Sequence, residues 1–140
     1  MPISNYTTDV KVSKTVGEIH DILANHDAQK IMTTYENKQP VGISFIYVVN
    51  GNEVGFNLPA NYAGVLRAMK KDTGVHQKYC NEDHARRVAW RTVLYWIEAQ
   101  MAMVEAEMAT VDQVFMPYAL LKSGNTVYQE FNQDKLIQLQ

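Results

Sequence analysis

Cysteine is nearly missing from this chain: Cys80 is the only one in 140 residues. An internal disulfide framework is therefore excluded, and a reducing compartment fits best. Long hydrophobic runs are missing too. No stretch approaches the roughly 20 apolar residues that a membrane-spanning helix needs. The opening MPISNYTTDVKVSK lacks the apolar core of a secretory signal. The expectation is a soluble, cytoplasmic protein without a membrane partner. Charge of one sign is not in excess, since 13 basic residues face 15 acidic ones. The whole molecule is thus neither a polyanion mimicking DNA nor a polycation drawn wholesale to nucleic acid. Catalytic signatures are also absent: there is no P-loop, GxGxxG, HExxH or GxSxG pattern. No reaction and no cofactor is read from the sequence.

What is present is enough apolar residue to fold. The hydrophobic share of 46% and charged share of 20% suit a globular domain, and the length suits one domain over 1–140. Residues 1–13 read as a loose arm or an edge strand. Thr15, with Glu18 three positions on, forms the pattern of a capping box, and Val16, Ile19, Ile22 and Leu23 recur at helical spacing. Lys30 to Glu36 has strand composition, and Asn37-Lys38-Gln39-Pro40 breaks it. Val41 to Val49 is the strongest strand, apolar enough to predict burial on both faces. Asn50-Gly51 predicts a tight hairpin into a strand from Asn52 to Leu58. A short helix follows over 61–71, burying Val65, Leu66 and Met69.

The dominant feature is a helix over 82–109, capped by Asn81 or Asp83. Trp90, Leu94, Ile97, Met101, Val104 and Met108 line one side, while Ala85, Val88, Ala89, Thr92, Trp96, Ala99, Met103 and Ala106 line the opposite side. A helix apolar nearly all round predicts burial in the core or between subunits, hence a homo-oligomer. Thr110 with Gln113 is a second capping box, opening a short helix that stops at Pro117. Ser123-Gly124-Asn125 is a turn, and Val127 to Leu139 reads as a last amphipathic helix, with a strand near Thr126 to Tyr128 as the alternative. The predicted fold is α+β: a helix, a three-stranded antiparallel sheet with a hairpin, a helix, one long buried helix and short C-terminal helices.

Charge is unevenly distributed along the chain. Arg67, Lys70, Lys71, Lys78, Arg86, Arg87 and Arg91 fall in one central window, and the segment after it is acidic. Such a run can make two opposed patches on a nearly neutral molecule, or simply a solvated surface. With Tyr79 as a stacking ring, these cations are candidates for tracking a phosphate backbone or a partner surface. Arg87 and Arg91, one turn apart, could grip an anion bidentately. Arg91 and Glu98 form a candidate anion site or register-fixing ion pair, within one chain or between subunits. His76, Cys80 and His84, four apart, carry zinc-ligand chemistry without an obvious fourth ligand. The bland alternative is a half-buried cysteine and two surface histidines.

The segments IMTTYENKQPVGISFIYVVNGNEVGFNLPAN and HARRVAWRTVLYWIEAQMAMVEAEMATVDQVFMPYAL resemble a group of small proteins carried by phages and other mobile elements. That resemblance implies a bacterial host cell and a non-enzymatic accessory role. The protein would bind DNA during recombination or replication, or bind a host protein–nucleic-acid machine as a defence inhibitor such as an anti-CRISPR. The order helix, three strands, helix is also similar to the double-stranded-RNA-binding domain and the core of single-strand annealing proteins. The first of these opens its second helix with lysines, whereas Lys70-Lys71 stand at the end of the helix over 61–71. The alternatives are a small nucleotide-signal sponge with an intersubunit pocket at Arg91 and Glu98, or a small metal-dependent nuclease or hydrolase using Glu98, His84 or a metal near His76 and Cys80.

Overall fold

The computed structural model describes residues 2–131. Helix α1 (Val12–Asn25) leads into strands β1 (Gln29–Glu36), β2 (Gln39–Val49) and β3 (Asn52–Pro59), which pair antiparallel in the order β1-β2-β3. Helix α2 (Tyr62–Lys71), the long α3 (Glu82–Glu105) and the short α4 (Val111–Phe115) follow, with 3-10 turns at Gln77–Tyr79 and Met116–Tyr118. The α+β class and the element order are those the sequence predicts.

Helix α1 starts earlier than its capping pattern suggests. Lys11 occupies the N-cap without a side-chain cap, and Thr15 lies inside the helix, fully buried, its hydroxyl donating to the Lys11 carbonyl. The reason is packing: Thr15 belongs to the stripe of Val16, Ile19 and Leu23 that faces the core, and Glu18 is engaged by Arg91 instead of closing a cap.

Both hairpins use two-residue turns with both central residues at positive φ, as a tight right-twisting hairpin demands. Asn50 and Gly51 have φ of 52° and 82°, between Val49 and Asn52. Asn37 and Lys38 have φ of 49° and 65°, between Glu36 and Gln39. The expected four-residue break is therefore only two residues long, and Gln39 and Pro40 belong to β2. Proline is tolerated there because β3 stops opposite Gly42, the register shifts beside Tyr35, and the free Pro40 carbonyl accepts the Trp90 indole N–H at 3.2 Å.

Strand β2 is not buried on both faces. Ile43, Phe45 and Tyr47 point into the core, whereas Ser44 and Ile46 are half-buried and Val48 is 51% exposed. Only one side of the sheet carries helices. There Phe45, Phe56 and Phe115 pack ring to ring at 5.2–5.8 Å, under Trp90, Leu94, Ile97 and Met101 of α3.

Asn81 caps α3 by accepting from the His84 N–H at 2.9 Å. Helix α2 covers the outer side of the first turns of α3, in a second cluster of Met69, Val75, Ala85 and Val88, with Val65 and Leu66 partly buried beside it. Past α2, Tyr95, Ala99, Ala102, Met103 and Ala106 are exposed, so α3 is covered on both sides only in its first half, and there Glu82, Asp83 and Thr92 still face solvent. It ends at Glu105, where Glu107 takes φ 59° and the N–H groups of Glu107 and Met108 donate to Val104 and Met103. Met108 lies beyond the helix and is exposed, away from the face expected for it.

The Thr110–Gln113 capping box is formed, and Phe115 of α4 reaches the core. Ala119 then pairs with Phe56 at the edge of β3, and Leu120 with Thr126 around the turn at Gly124. Residues 127–130 form a turn, and the rest of the helix expected over Val127 to Leu139 lies outside the described residues. The N-terminal arm is docked: Ile3 and Tyr6 pack on the second cluster. No helix among the described residues is long and apolar enough to cross a membrane.

Candidate binding surfaces

The seven central cations separate into two groups. Arg67, Lys70, Lys71 and Lys78 are exposed. Arg67 has Lys70 three residues on and Lys71 four residues on, so all three share the face of α2 opposite the buried Met69. Lys70 and residues 77 and 80 line one shallow depression, which brings the Lys78 turn beside the C-terminus of α2. Lys78 lies 5.0 Å from the ring of Tyr79. None of the four makes a salt bridge among the described residues. Lys70 and Lys71 also favour their helix, because cations oppose the negative end of its dipole. The acidic neighbours are Asp72, whose carboxylate accepts from Gly74, and Glu82 and Asp83 in the first turn of α3.

Arg86, Arg87 and Arg91 are built into the packing. The Arg86 guanidinium lies 3.8 Å over the Tyr62 ring and Arg87 donates to His84 at 3.2 Å, each with one buried nitrogen atom lacking a partner among the described residues. Arg91 donates to Glu18 at 2.9 Å and to the Tyr95 hydroxyl at 3.1 Å. Its guanidinium is held still more firmly in the charged form, first by Tyr95, with Glu18 contributing. Within the chain the carboxylate partner of Arg91 is thus Glu18 of α1. Glu98 is exposed on the far side of Tyr95 and makes no salt bridge among the described residues. Side-by-side helices decide this pairing, and spacing along a single helix cannot reveal it.

His76, Cys80 and His84 do not converge. His76 caps the 3-10 turn by accepting from the Lys78 N–H, Cys80 is half-buried with its sulfur near the His76 carbonyl, and His84 is buried. His84 is therefore not a surface histidine. Its Nε2–H donates to the Tyr6 carbonyl and its Nδ1 accepts from Arg87, which occupies both ring nitrogens. Among the described residues no three His, Cys, Asp or Glu side chains group to hold a metal ion.

No spacing in the sequence marks the His26–Glu105 pair, which joins the end of α1 to the end of α3. His26 Nδ1 faces the Ile22 carbonyl and Nε2 faces the Glu105 carboxylate, two acceptors that favour the protonated ring. The Ile22 carbonyl is the main cause of its raised pKa; burial opposes it and Glu105 adds to it. An apolar groove also opens between β3 and α3, lined by Leu58, Pro59, Thr92, Val93, Trp96 and Tyr118. No protein-family model, curated protein sequence or solved structure matches the chain.

Proposed function

We propose that the chain is a non-enzymatic binding protein that contacts the phosphates of nucleic acid through Arg67, Lys70, Lys71 and Lys78. The observation that carries this reading is the set of four exposed cations on and beside the outer face of α2, none with a carboxylate partner among the described residues. Unpaired surface cations that share a face release condensed counterions when they meet a phosphate backbone. Arg86, Arg87 and Arg91 hold the helices in place behind this face instead of touching the target. The accessory role in a phage or mobile element that the resemblance implies, in recombination or in blocking a host defence machine, would use this same face.

The test is a fluorescence-anisotropy titration with a labelled single-stranded oligonucleotide at low salt. Arg67→Glu/Lys70→Glu/Lys71→Glu should keep the far-ultraviolet dichroism of the parent and lose roughly 100-fold or more in affinity. The salt slope of the parent should be about −2 to −3, set by roughly 0.7 counterions per phosphate contact on single strands. Equal binding by the folded triple variant would overturn the assignment. Arg86→Glu/Arg87→Glu is the poorer probe, because those side chains belong to the α2–α3 packing and their reversal attacks the fold.

We also propose self-association through the bare outer face of α3, from Tyr95 to Ala106. Small residues and Met103 there offer close approach to another helix.

A further inference from the structure

A cleft opens at the opposite end of the molecule from the cations of α2. The turn His26-Asp27 after α1, Val104 and Asp112 line it, together with Tyr47 and Val49 of β2. Its electrostatics follow from the way the two helices lie. Arg91 meets Glu18, and Glu105 meets His26, so α1 and α3 run parallel and end side by side at this cleft. Backbone N–H groups cap the last carbonyls of both helices, and the aligned peptide dipoles still place roughly half a negative charge at each end. Asp27 and Asp112 add two carboxylates, neither in a salt bridge among the described residues. Among the described residues lining the cleft His26 is the one basic side chain, and Glu105 already faces it.

A second observation is independent of this acidity. Tyr47 is 5% exposed, and its hydroxyl has no hydrogen-bond partner among the described residues. Burial first, and the Asp27 carboxylate second, push its pKa up, so the phenol stays protonated and its lone pairs stay free. A buried hydroxyl without a partner is costly and calls for a ligand or water. Asp27 itself has φ 73°, closing α1 in a left-handed cap where glycine would sit without strain. A carboxylate is held there at a conformational cost.

We propose that this cleft binds a primary ammonium on a short aliphatic chain, with Asp27 and Asp112 facing the charge, the Tyr47 hydroxyl accepting an N–H, and Val49 and Val104 covering the chain. The shared chemistry is that of a free alkyl amine or of a lysine side chain on a partner protein. It is independent of the nucleic-acid reading.

The experiment is a two-dimensional amide NMR titration of the full chain with n-butylammonium chloride and, separately, with Nα-acetyl-lysine methylamide. 1-Butanol and matched sodium chloride serve as controls. Butylammonium should saturate shifts at Asp27, Val49 and Asp112 with a Kd on the order of millimolar, as befits a ligand of few atoms. Butanol should not. Asp27→Gly/Asp112→Asn should weaken binding at least about tenfold without lowering the melting temperature, because glycine relieves the left-handed residue. Tyr47→Phe should keep or raise the melting temperature and weaken binding about threefold. Tighter binding of the lysine derivative assigns the cleft to a protein partner, and tighter binding of butylammonium assigns it to a free amine. Binding of butylammonium no better than butanol, or unchanged binding by the folded double variant, overturns the proposal.

Discussion

Two histidines of this chain meet opposite sets of partners, and the atoms around them decide which ring nitrogens donate. His84 meets one carbonyl and one guanidinium, so one nitrogen donates and the other accepts. His26 meets a carbonyl and a carboxylate, two acceptors that favour donation from both. The consequence for stability has a definite sign. The folded pKa of His26 lies above its ordinary 6.5, so its contribution is complete below that value and fades as pH rises through the folded pKa. The effect is small, because Glu105 is largely exposed and solvent screens the pair. The melting temperature should therefore drift down as pH is raised from 6 toward 9, and His26→Gln should flatten that drift. A drift of the same size in the variant would assign it to other groups. At this scale the sequence was legible where a residue acts on its own neighbours, as Asn81 and Thr110 do in capping their helices. It was silent on Glu18 and Glu105, whose partners lie 73 and 79 residues away.

Element ends follow similar logic. Asn50-Gly51 announced its hairpin because asparagine and glycine accept positive φ readily. Asn37-Lys38 makes the same turn without the usual second residue, and so read as a longer break. The apolar pattern predicts that α3 runs to residue 109, because it continues past the true stop at Glu105. Glu107 ends the helix at φ 59° with no glycine to mark the place. A left-handed conformation costs an ordinary residue about 1–2 kcal/mol, and a carboxylate at a helix C-terminus is also unfavourable. Glu107→Gly should raise stability by roughly 0.5–1 kcal/mol after the entropy of glycine is counted, read as a higher urea midpoint at unchanged slope. A lower midpoint would show that the Glu107 side chain makes a contact worth more than the strain.

For the whole molecule, parallel packing of α1 and α3 gathers both negative helix ends at the Asp27–Asp112 cleft, while the basic face of α2 lies by the start of α3. A nearly neutral net charge hides this polarity. The exposed outer face of α3 is the remaining large-scale feature. If it is an interface, light scattering at micromolar concentration should give a mass that is a multiple of the single chain, and Met103→Glu should return it to one chain. A monomeric parent at those concentrations would end the proposal of self-association.

The sequence by itself determined the element order, the second hairpin, the cap at Thr110, the choice of Asn81 or Asp83 for the cap of α3, and the core stripe of Trp90, Leu94, Ile97 and Met101. Each of these is set by contacts within a few residues or by the 3.6-residue period of one helix. Only the tertiary structure decided that β2 has one bare face, that Arg86, Arg87 and Arg91 support the packing while Arg67, Lys70, Lys71 and Lys78 face solvent, and that Arg91 pairs with Glu18. Those outcomes depend on which elements lie beside one another, and residue spacing along the chain carries no record of a neighbour seventy residues away.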